Sequence, residues 1–272
     1  MQARLQRGFV LHRRPYANTS LLLELFTAED GRLAMVAKGA KRARSTQAAL
    51  LQPFQPLWLG WTGRGEVKTL TRAEAAGRAL SLIGTSLYCG FYVNELLMRL
   101  WPRQEAPESL FPAYQMVLEA LSSSDSPDLG LRQFELSLLA AMGYALDLNR
   151  LADEDIAVRS EEHYVLYPEQ GLRRALAAGP ESVSGETLGR LVRGEALEPR
   201  HRREAKTLLR RALAPHLGNK PLRSRELFRA LPGQGAAAEN ASAGHADGSL
   251  RSPPQSAEQP ASQAIHGESN HA

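Results

Sequence analysis

The sequence is poor in cysteine and lacks long apolar runs. Its 272 residues include one cysteine, Cys89, which leaves no internal disulfide framework and no cysteine-rich zinc site. No apolar run approaches the roughly 18–20 residues needed to span a bilayer. The first residues, MQARLQRGFVLHRR, hold no apolar segment long enough for a signal peptide. We therefore expect a cytoplasmic protein, long enough for two domains.

Catalytic and metal-binding motifs are also missing. The sequence has neither the phosphate-binding motif G-x-x-x-x-G-K-[ST] nor the zinc motif H-E-x-x-H. Cys89 lies among apolar residues, as a core side chain would. The acidic residues 153–155 fit an exposed loop better than a metal site, and His163 stands alone. His201 and His216 fall amid basic helix faces and need no special role. We predict no enzyme activity, no cofactor and no bound metal.

The net charge of +4 hides a segregated pattern. Residues 1–72 carry 12 Lys or Arg against 4 Asp or Glu, and residues 200–231 carry 10 against 2. The intervening residues 73–199 carry 10 against 19. Two basic blocks around an acidic middle indicate a surface that faces a polyanion. Solvated helix faces would explain the same charges, and charge alone does not decide between the two.

Residues 1–76 read as a small β-barrel. Short apolar segments at residues 9–14, 21–26, 33–38, 56–61 and 66–74 are separated by turn signals and by no long helix. Asp30-Gly31 marks a hairpin turn, and the glycines of TGRG fit a tight turn better than a phosphate cradle. This part of the chain is expected to be all β.

Residues 77–231 read as mostly helical. Helical spacing appears at residues 82–101, 110–121, 131–142, 184–193, 200–217 and 223–231. The first of these is apolar almost all round, which predicts a buried central helix. A small irregular insertion near residues 148–175 contains a possible hairpin. Residues 232–272, rich in Ala, Gly, Ser and Pro, are expected to be a disordered tail.

The barrel segment carries the residue types that bind single-stranded nucleic acid, namely cations for phosphates and aromatics for bases. Phe54, Trp58 and Trp61 are candidate stacking residues. By strand parity Leu57, Leu59 and Trp61 share one face and Trp58 the other, so one tryptophan is expected in the core. The candidate cations are Lys38, Lys41, Arg42, Arg44, Arg64 and Lys68.

The second basic block is a helix with two unlike faces. Arg203, Lys206 and Arg210 line up on one side at helical spacing. The other side is an apolar stripe made of Ala205, Leu208, Leu209, Ala212 and Leu213.

Several segments resemble one known family. RPYANTSLLLELFTAEDGRLAMVAKGAKRARS, LQPFQPLWLGWTGRGEVKTLTRAE, YVNELLMRL, LRQFELSLLAAMGYALDL and LGNKPLRSRELFRAL are similar, in collinear order over residues 5–231, to the bacterial RecO family of DNA repair and recombination mediators. The resemblance implies an α+β protein with an N-terminal OB-fold and a helical domain. It implies binding to single- and double-stranded DNA, strand annealing, and partnership with RecR and with the acidic C-terminal tail of single-stranded-DNA-binding protein. Together with RecR, such a protein would help to load RecA in the nucleoid.

The expected binding residues follow from the charges and from this resemblance. The DNA-binding set is Arg13, Arg14, Lys38, Lys41, Arg42, Arg44, Arg64, Lys68, Arg203, Lys206 and Arg210. An acidic tail that ends in apolar residues and a carboxylate needs an apolar pocket rimmed with cations. Arg132 is the first candidate, and the segment with Lys220, Arg223 and Arg225 is the second. For Arg132 the alternative is a salt bridge with Glu135 or Asp128.

The sequence departs from the family at one point. Many members carry a four-cysteine zinc site after the segment that corresponds to GYALDL, and here that region has no cysteine. Four thiolates cannot be replaced by one histidine and scattered acids in a closed structural site, so we predict packing through Tyr164, Leu166 and Tyr167 instead.

The alternative to a DNA mediator is a protein adaptor whose cations meet acidic partners.

Overall fold

The computed structural model describes residues 4–106, 108–123, 127–152, 156–224 and 226. These residues belong to one compact unit, Met1–Ala230. The tail at residues 232–272, the acidic residues 153–155 and the candidate binding residue Arg225 lie outside the described residues. The division into domains at residue 76 stays a prediction.

Five strands form a closed barrel, as the apolar pattern predicts. They are β1 (Gln6–Tyr16), β2 (Ser20–Thr27), β3 (Gly31–Ala37), β4 (Leu57–Thr62) and β5 (Val67–Ala75). The order around the barrel is β1-β2-β3-β5-β4. β1 closes it against β4, and β3 pairs with β5 in parallel. This five-stranded barrel is an OB-fold, and with the helices that follow it confirms the predicted α+β class.

Six helices complete the described part of the chain. They are α1 (Gln47–Leu50), α2 (Thr85–Leu100), α3 (Leu110–Ser123), α4 (Asp128–Ala141), α5 (Gly185–Arg193) and α6 (Pro199–Leu217). The short α1 was not expected, because its single turn shows no helical period. α2 is the predicted central helix: none of its residues after Thr85 is exposed. None of the described helices combines the length and apolarity that a membrane span needs.

Strand β1 is buried on both faces over residues 8–11, where it joins two apolar clusters. Val10 belongs to the barrel core, together with Leu23, Leu25, Leu33, Met35, Leu57 and Leu59. Its neighbours Phe9 and Leu11 belong to the cluster formed by the helices. Alternate side chains of one strand thus serve different cores, as the two-residue period of a strand requires.

Aromatic rings fasten the barrel to α3. The ring of Phe9 lies 5.2 Å from that of Tyr114, and the ring of Phe26 lies 5.5 Å from those of both Phe111 and Tyr114. A buried amide completes the contact, since Asn94 on α2 donates to the carbonyl oxygen of Leu11 (2.9 Å) and accepts from the Tyr114 hydroxyl (2.7 Å). The outside of the barrel is therefore part of the helical core.

The turn between β2 and β3 requires glycine. Gly31 has φ of +64°, and a Cβ there would stand 1.9 Å from the carbonyl oxygen of Glu105. The next residue, Arg32, donates to the carbonyl oxygens of Leu97 and Met98 at the C-terminal end of α2. The predicted Asp30-Gly31 hairpin is confirmed, and it is held directly against the helices.

The insertion contains the predicted hairpin. β6 (His163–Tyr167) pairs with β7 (Gly171–Arg174) and with β8 (Val183–Ser184). Tyr164 and Leu166 are buried, as predicted, and burial raises the pKa of Tyr164. Tyr167 is 42% exposed and does not share in this buried packing. Arg173 and Arg211 lie against its ring instead.

The residues present do not fit the family's zinc site. The single cysteine lies on α2, away from the insertion in the sequence. Within the described ranges no three His, Cys, Asp or Glu residues form a group that could hold a metal ion. The insertion is held by its buried side chains and by backbone pairing.

Candidate nucleic-acid interface

The candidate interface is built around a basic loop, residues 38–45, between β3 and α1. Lys38, Lys41, Arg42 and Arg44 are all exposed. None of these four side chains forms an ion pair with any residue that the structure describes. Their charges are therefore directed to solvent and are available to an anionic ligand.

The backbone of the basic loop is fixed although its charged side chains are exposed. The amides of Arg42 and Ser45 donate to the carbonyl oxygens of Gly39 (3.1 Å) and Arg42 (2.9 Å), which gives two consecutive turns. The Lys41 amide donates to the carbonyl oxygen of Thr19 (2.8 Å) in the β1–β2 turn. Ala40 is fully buried in the barrel core. These contacts hold the backbone that carries the cations in place before any ligand arrives.

The two candidate arginines of β1, Arg13 and Arg14, differ in what they can do. Arg13 donates to the carbonyl oxygens of Ala48 (2.7 Å) and Leu51 (3.2 Å) at the end of α1. Arg14 is exposed. Arg13 thus positions the helix that follows the basic loop, whereas Arg14 adds a charge to the surface.

Arg64 and Lys68 lie elsewhere on the barrel. The parallel register pairs Val67 with Ala34 and Lys68 with Met35, in the middle of β3. The β4–β5 turn with the exposed Arg64 therefore lies toward the start of β3, and the basic loop follows its end. The structure does not bring Arg64 to the basic loop, and Lys68 lies between them.

The second basic block forms the exposed face of α6. Arg203, Lys206 and Arg210 are exposed, while every residue of the predicted apolar stripe is buried. His201 is only 2% exposed, so the sequence prediction that it lies on the basic face is wrong. It precedes the buried Ala205 and Leu208 by four and seven residues, and this spacing already placed it on the apolar side. α6 packs on α4 and α5, so the two basic blocks belong to different parts of the fold.

The three candidate stacking residues differ in how far their side chains are exposed. Phe54 is 5% exposed and packs on the ring of Phe91 (5.4 Å), so its proposed stacking role is wrong. Trp61 is half-buried against the barrel core, as parity predicts. Trp58 is 39% exposed, with Arg7 and Glu74 as its cross-strand neighbours.

Sequence reasoning missed Tyr16, which is 51% exposed at the end of β1. Its position beside the basic loop depends on strand register. The only signal in the sequence is an aromatic residue directly before the turn ANTS.

Arg132 lies in a charged cluster between helices. Its Nη1 is 2.8 Å from Oε2 of Glu135, and its side chain is 10% exposed. Tyr92 on α2 donates to Oε1 of the same glutamate (2.6 Å). The salt bridge that the sequence left as an alternative is therefore formed.

The only cysteine adjoins this cluster. Burial raises the pKa of the Cys89 thiol to about 11, and Asp128 adds to the effect, while the charges of Arg132 and Lys206 oppose it. The thiol is therefore protonated and unreactive near neutral pH. Cys89 is half-buried, and two carboxylates (Asp128 and Glu135) and two cations (Arg132 and Lys206) act on it.

The second candidate position for a partner tail is a cavity of about 220 Å³ after α6. Apolar residues Leu217, Pro221 and Leu222 line it, together with Arg210 and Lys220. Arg99 donates to the carbonyl oxygens of Lys220 (2.8 Å) and Pro221 (3.4 Å), which holds this segment against α2. Arg223 is exposed beside it.

Two family models match this sequence. The one described as Recombination protein O N terminal covers residues 1–78, and the one described as Recombination protein O C terminal covers residues 84–226. The short gap between them, residues 79–83, lies between the last barrel strand and α2.

Curated relatives match over most of their length. Proteins named DNA repair protein RecO from Methylococcus capsulatus and Nitrosococcus oceani are each 47% identical to this chain, over 227 and 233 residues. These matches cover 83% and 85% of this chain and 93% and 95% of the relatives. The protein of that name from Yersinia enterocolitica is 47% identical over 225 residues, which is 82% of this chain and 93% of the relative.

Proposed function

This chain belongs to the RecO family of DNA repair proteins, and from that premise we propose that it is a non-enzymatic recombination mediator. In this proposal it binds single- and double-stranded DNA and anneals complementary strands. With RecR, it helps to load RecA onto single-stranded DNA coated by single-stranded-DNA-binding protein. It acts in the cytoplasm, at the nucleoid.

The observation that carries the proposal is the basic loop. Four exposed cations without ion-pair partners among the described residues are held on a fixed backbone next to an OB-fold barrel. Cations of this kind bind phosphates without reading sequence. Further proposed DNA contacts are Arg14, Arg64 and Lys68 on the barrel and, on a separate part of the fold, Arg203, Lys206 and Arg210 on α6. Arg13 contributes by holding α1.

The test is a fluorescence-anisotropy titration of a labelled single-stranded oligonucleotide at several salt concentrations. If the four loop cations each neutralise a phosphate, the slope of log K against log salt should be about −3, since each contact contributes about −0.7 on single strands. The affinity should be similar for unrelated sequences. Binding that is absent at low salt would favour the alternative of an adaptor with acidic protein partners.

We place the acidic partner tail at Arg132 as the first proposal. The charges of Arg132 and of the exposed Lys206 both act on the half-buried Cys89, and these two cations are the proposed partners of the tail carboxylate. The opposing charge of Glu135 limits this site. The cavity beside Lys220, with Arg223 and the undescribed Arg225, is the second proposal.

Substituting Arg132→Ala is expected to weaken binding of a labelled acidic peptide, ending in an apolar residue and a free carboxylate, by about tenfold or more. Arg132→Lys keeps the charge and the pairing with Glu135, so it should lose much less. Circular dichroism shows whether each variant is folded. If peptide binding is weakened only in the double variant Lys220→Ala/Arg223→Ala, the site is the cavity after α6 instead.

A further inference from the structure

The β1–β2 turn brings an exposed aromatic ring to the edge of the basic loop. Tyr16 pairs with Ser20 across this turn, and Leu21 pairs with Ala37 on β3. Continued by one residue, the same register sets Lys38 beside Ser20. Tyr16, Ser20 and Lys38 therefore form a row across three strand ends, and strands are about 4.8 Å apart.

We propose that Tyr16 stacks on an unpaired base and so makes the basic loop prefer single-stranded to double-stranded DNA. This inference rests on the proposed function, because it assumes that the loop cations hold DNA phosphates. It adds a preference of this end of the barrel for unpaired strands, which the cations alone do not provide.

The environment of the ring supports this role. Tyr16 is 51% exposed and belongs to neither apolar cluster, whereas Tyr114 and Tyr164 are fully buried. Arg14 lies two residues earlier on the same face of β1 and is also exposed. Arg14 along β1 and Lys38 across the strand ends thus place cations near the ring, where the backbone of a stacked base would pass.

The turn holds the backbone of Tyr16 in a defined position. Ala17 has φ of 50°, which reverses the chain immediately after Tyr16. The Lys41 amide bonds the same turn through Thr19. Because this backbone is already ordered, stacking of a base on the ring orders only the side chain.

A stacking ring distinguishes single-stranded from double-stranded DNA, whereas a cation does not. Phosphates are exposed in single strands and duplexes alike, so the cations serve both. Base faces are open only in single strands, because in a duplex each base is already stacked on its neighbours. Removal of the ring should therefore weaken single-strand binding alone.

The experiment compares Tyr16→Ala and Tyr16→Phe with the unaltered protein, on a labelled oligonucleotide and on the duplex of the same sequence. Tyr16→Ala should weaken single-strand binding about tenfold, as expected for one stacked base. Duplex binding should change by less than about twofold, since phosphate contacts remain. Tyr16→Phe keeps the ring and should match the unaltered protein. Tyr144→Ala removes an equally exposed aromatic ring (54%) from the helical part and is the matched control.

An oligonucleotide with abasic sites provides the second readout, because the unaltered protein and Tyr16→Ala should bind it equally. An equal loss on single strands and duplexes, or no loss on single strands, would overturn the stacking role. The variant Lys41→Glu/Arg42→Glu separates the two ideas. If it loses DNA binding while Tyr16→Ala does not, only the stacking inference fails. If the double variant keeps full DNA binding, the proposed DNA role of the loop is wrong, and the stacking inference that rests on it is wrong too.

Discussion

The double variant Lys41→Glu/Arg42→Glu is expected to bind both single- and double-stranded DNA at least about tenfold more weakly than the unaltered protein. Both side chains are exposed and have no ion-pair partner among the described residues, so their loss leaves no buried group uncompensated. Reversal removes two attractive charges and introduces two repulsive ones. The loss should be the same for every sequence tested.

Salt dependence gives a second, independent readout of the same variant. The slope of log K against log salt should become shallower by about 1.4 on single strands, because each lost phosphate contact removes about 0.7. The control is Arg4→Glu/Arg78→Glu, which changes the net charge equally. Arg4 and Arg78 are exposed and lie outside the basic loop, before β1 and after β5. An equal loss in the control would mean that only net charge matters, and unchanged binding in the loop variant would remove the loop from the interface.

The variant Asn94→Ala is expected to lower the free energy of unfolding by about 2–5 kcal/mol. Asn94 is 1% exposed, and its amide joins the Leu11 carbonyl of β1 to the Tyr114 hydroxyl of α3. Its removal leaves the carbonyl and the hydroxyl buried without these partners. Each such group costs roughly 1–3 kcal/mol.

Urea denaturation followed by circular dichroism measures the loss as a lower midpoint. Tyr114→Phe removes only the hydroxyl, so it should fall between Asn94→Ala and the unaltered protein. Asn219→Ala is the control, because Asn219 is exposed on the segment after α6. A midpoint for Asn94→Ala equal to that of the control would show that the amide does not hold the barrel to the helices.

The spacing of apolar residues predicted the strands and helices, because each spacing results from the burial of one face of the element. Alternation in β3 and β4 follows from burial of one strand face, and Leu57 and Leu59 are buried as this requires. The stripe on α6 follows from one buried helix face in the same way. Even the salt bridge of Arg132 with Glu135 could be named in advance, since three residues separate them on one helix.

The pairing between elements could not be read from the sequence. Phe54 has an unusual φ of 66° and meets α2, and nothing in its neighbours in the sequence predicts either fact. Arg13 and Arg14 are adjacent and alike, yet only the position of α1 shows which one is bound to carbonyl oxygens. Tyr16 stands beside the basic loop because of register across three strands, which no single segment contains.

The aromatic contact between barrel and α3 has a consequence for synthesis of the chain. The strands leave the ribosome first, but Phe9 and Phe26 meet their partners only when Phe111 and Tyr114 follow, about 40 residues after β5 ends. At 5–20 residues per second, this interval lasts roughly 2–8 s. Throughout this interval Phe9 and Phe26 lack their aromatic partners, so an apolar surface of the nascent barrel stays open to aggregation.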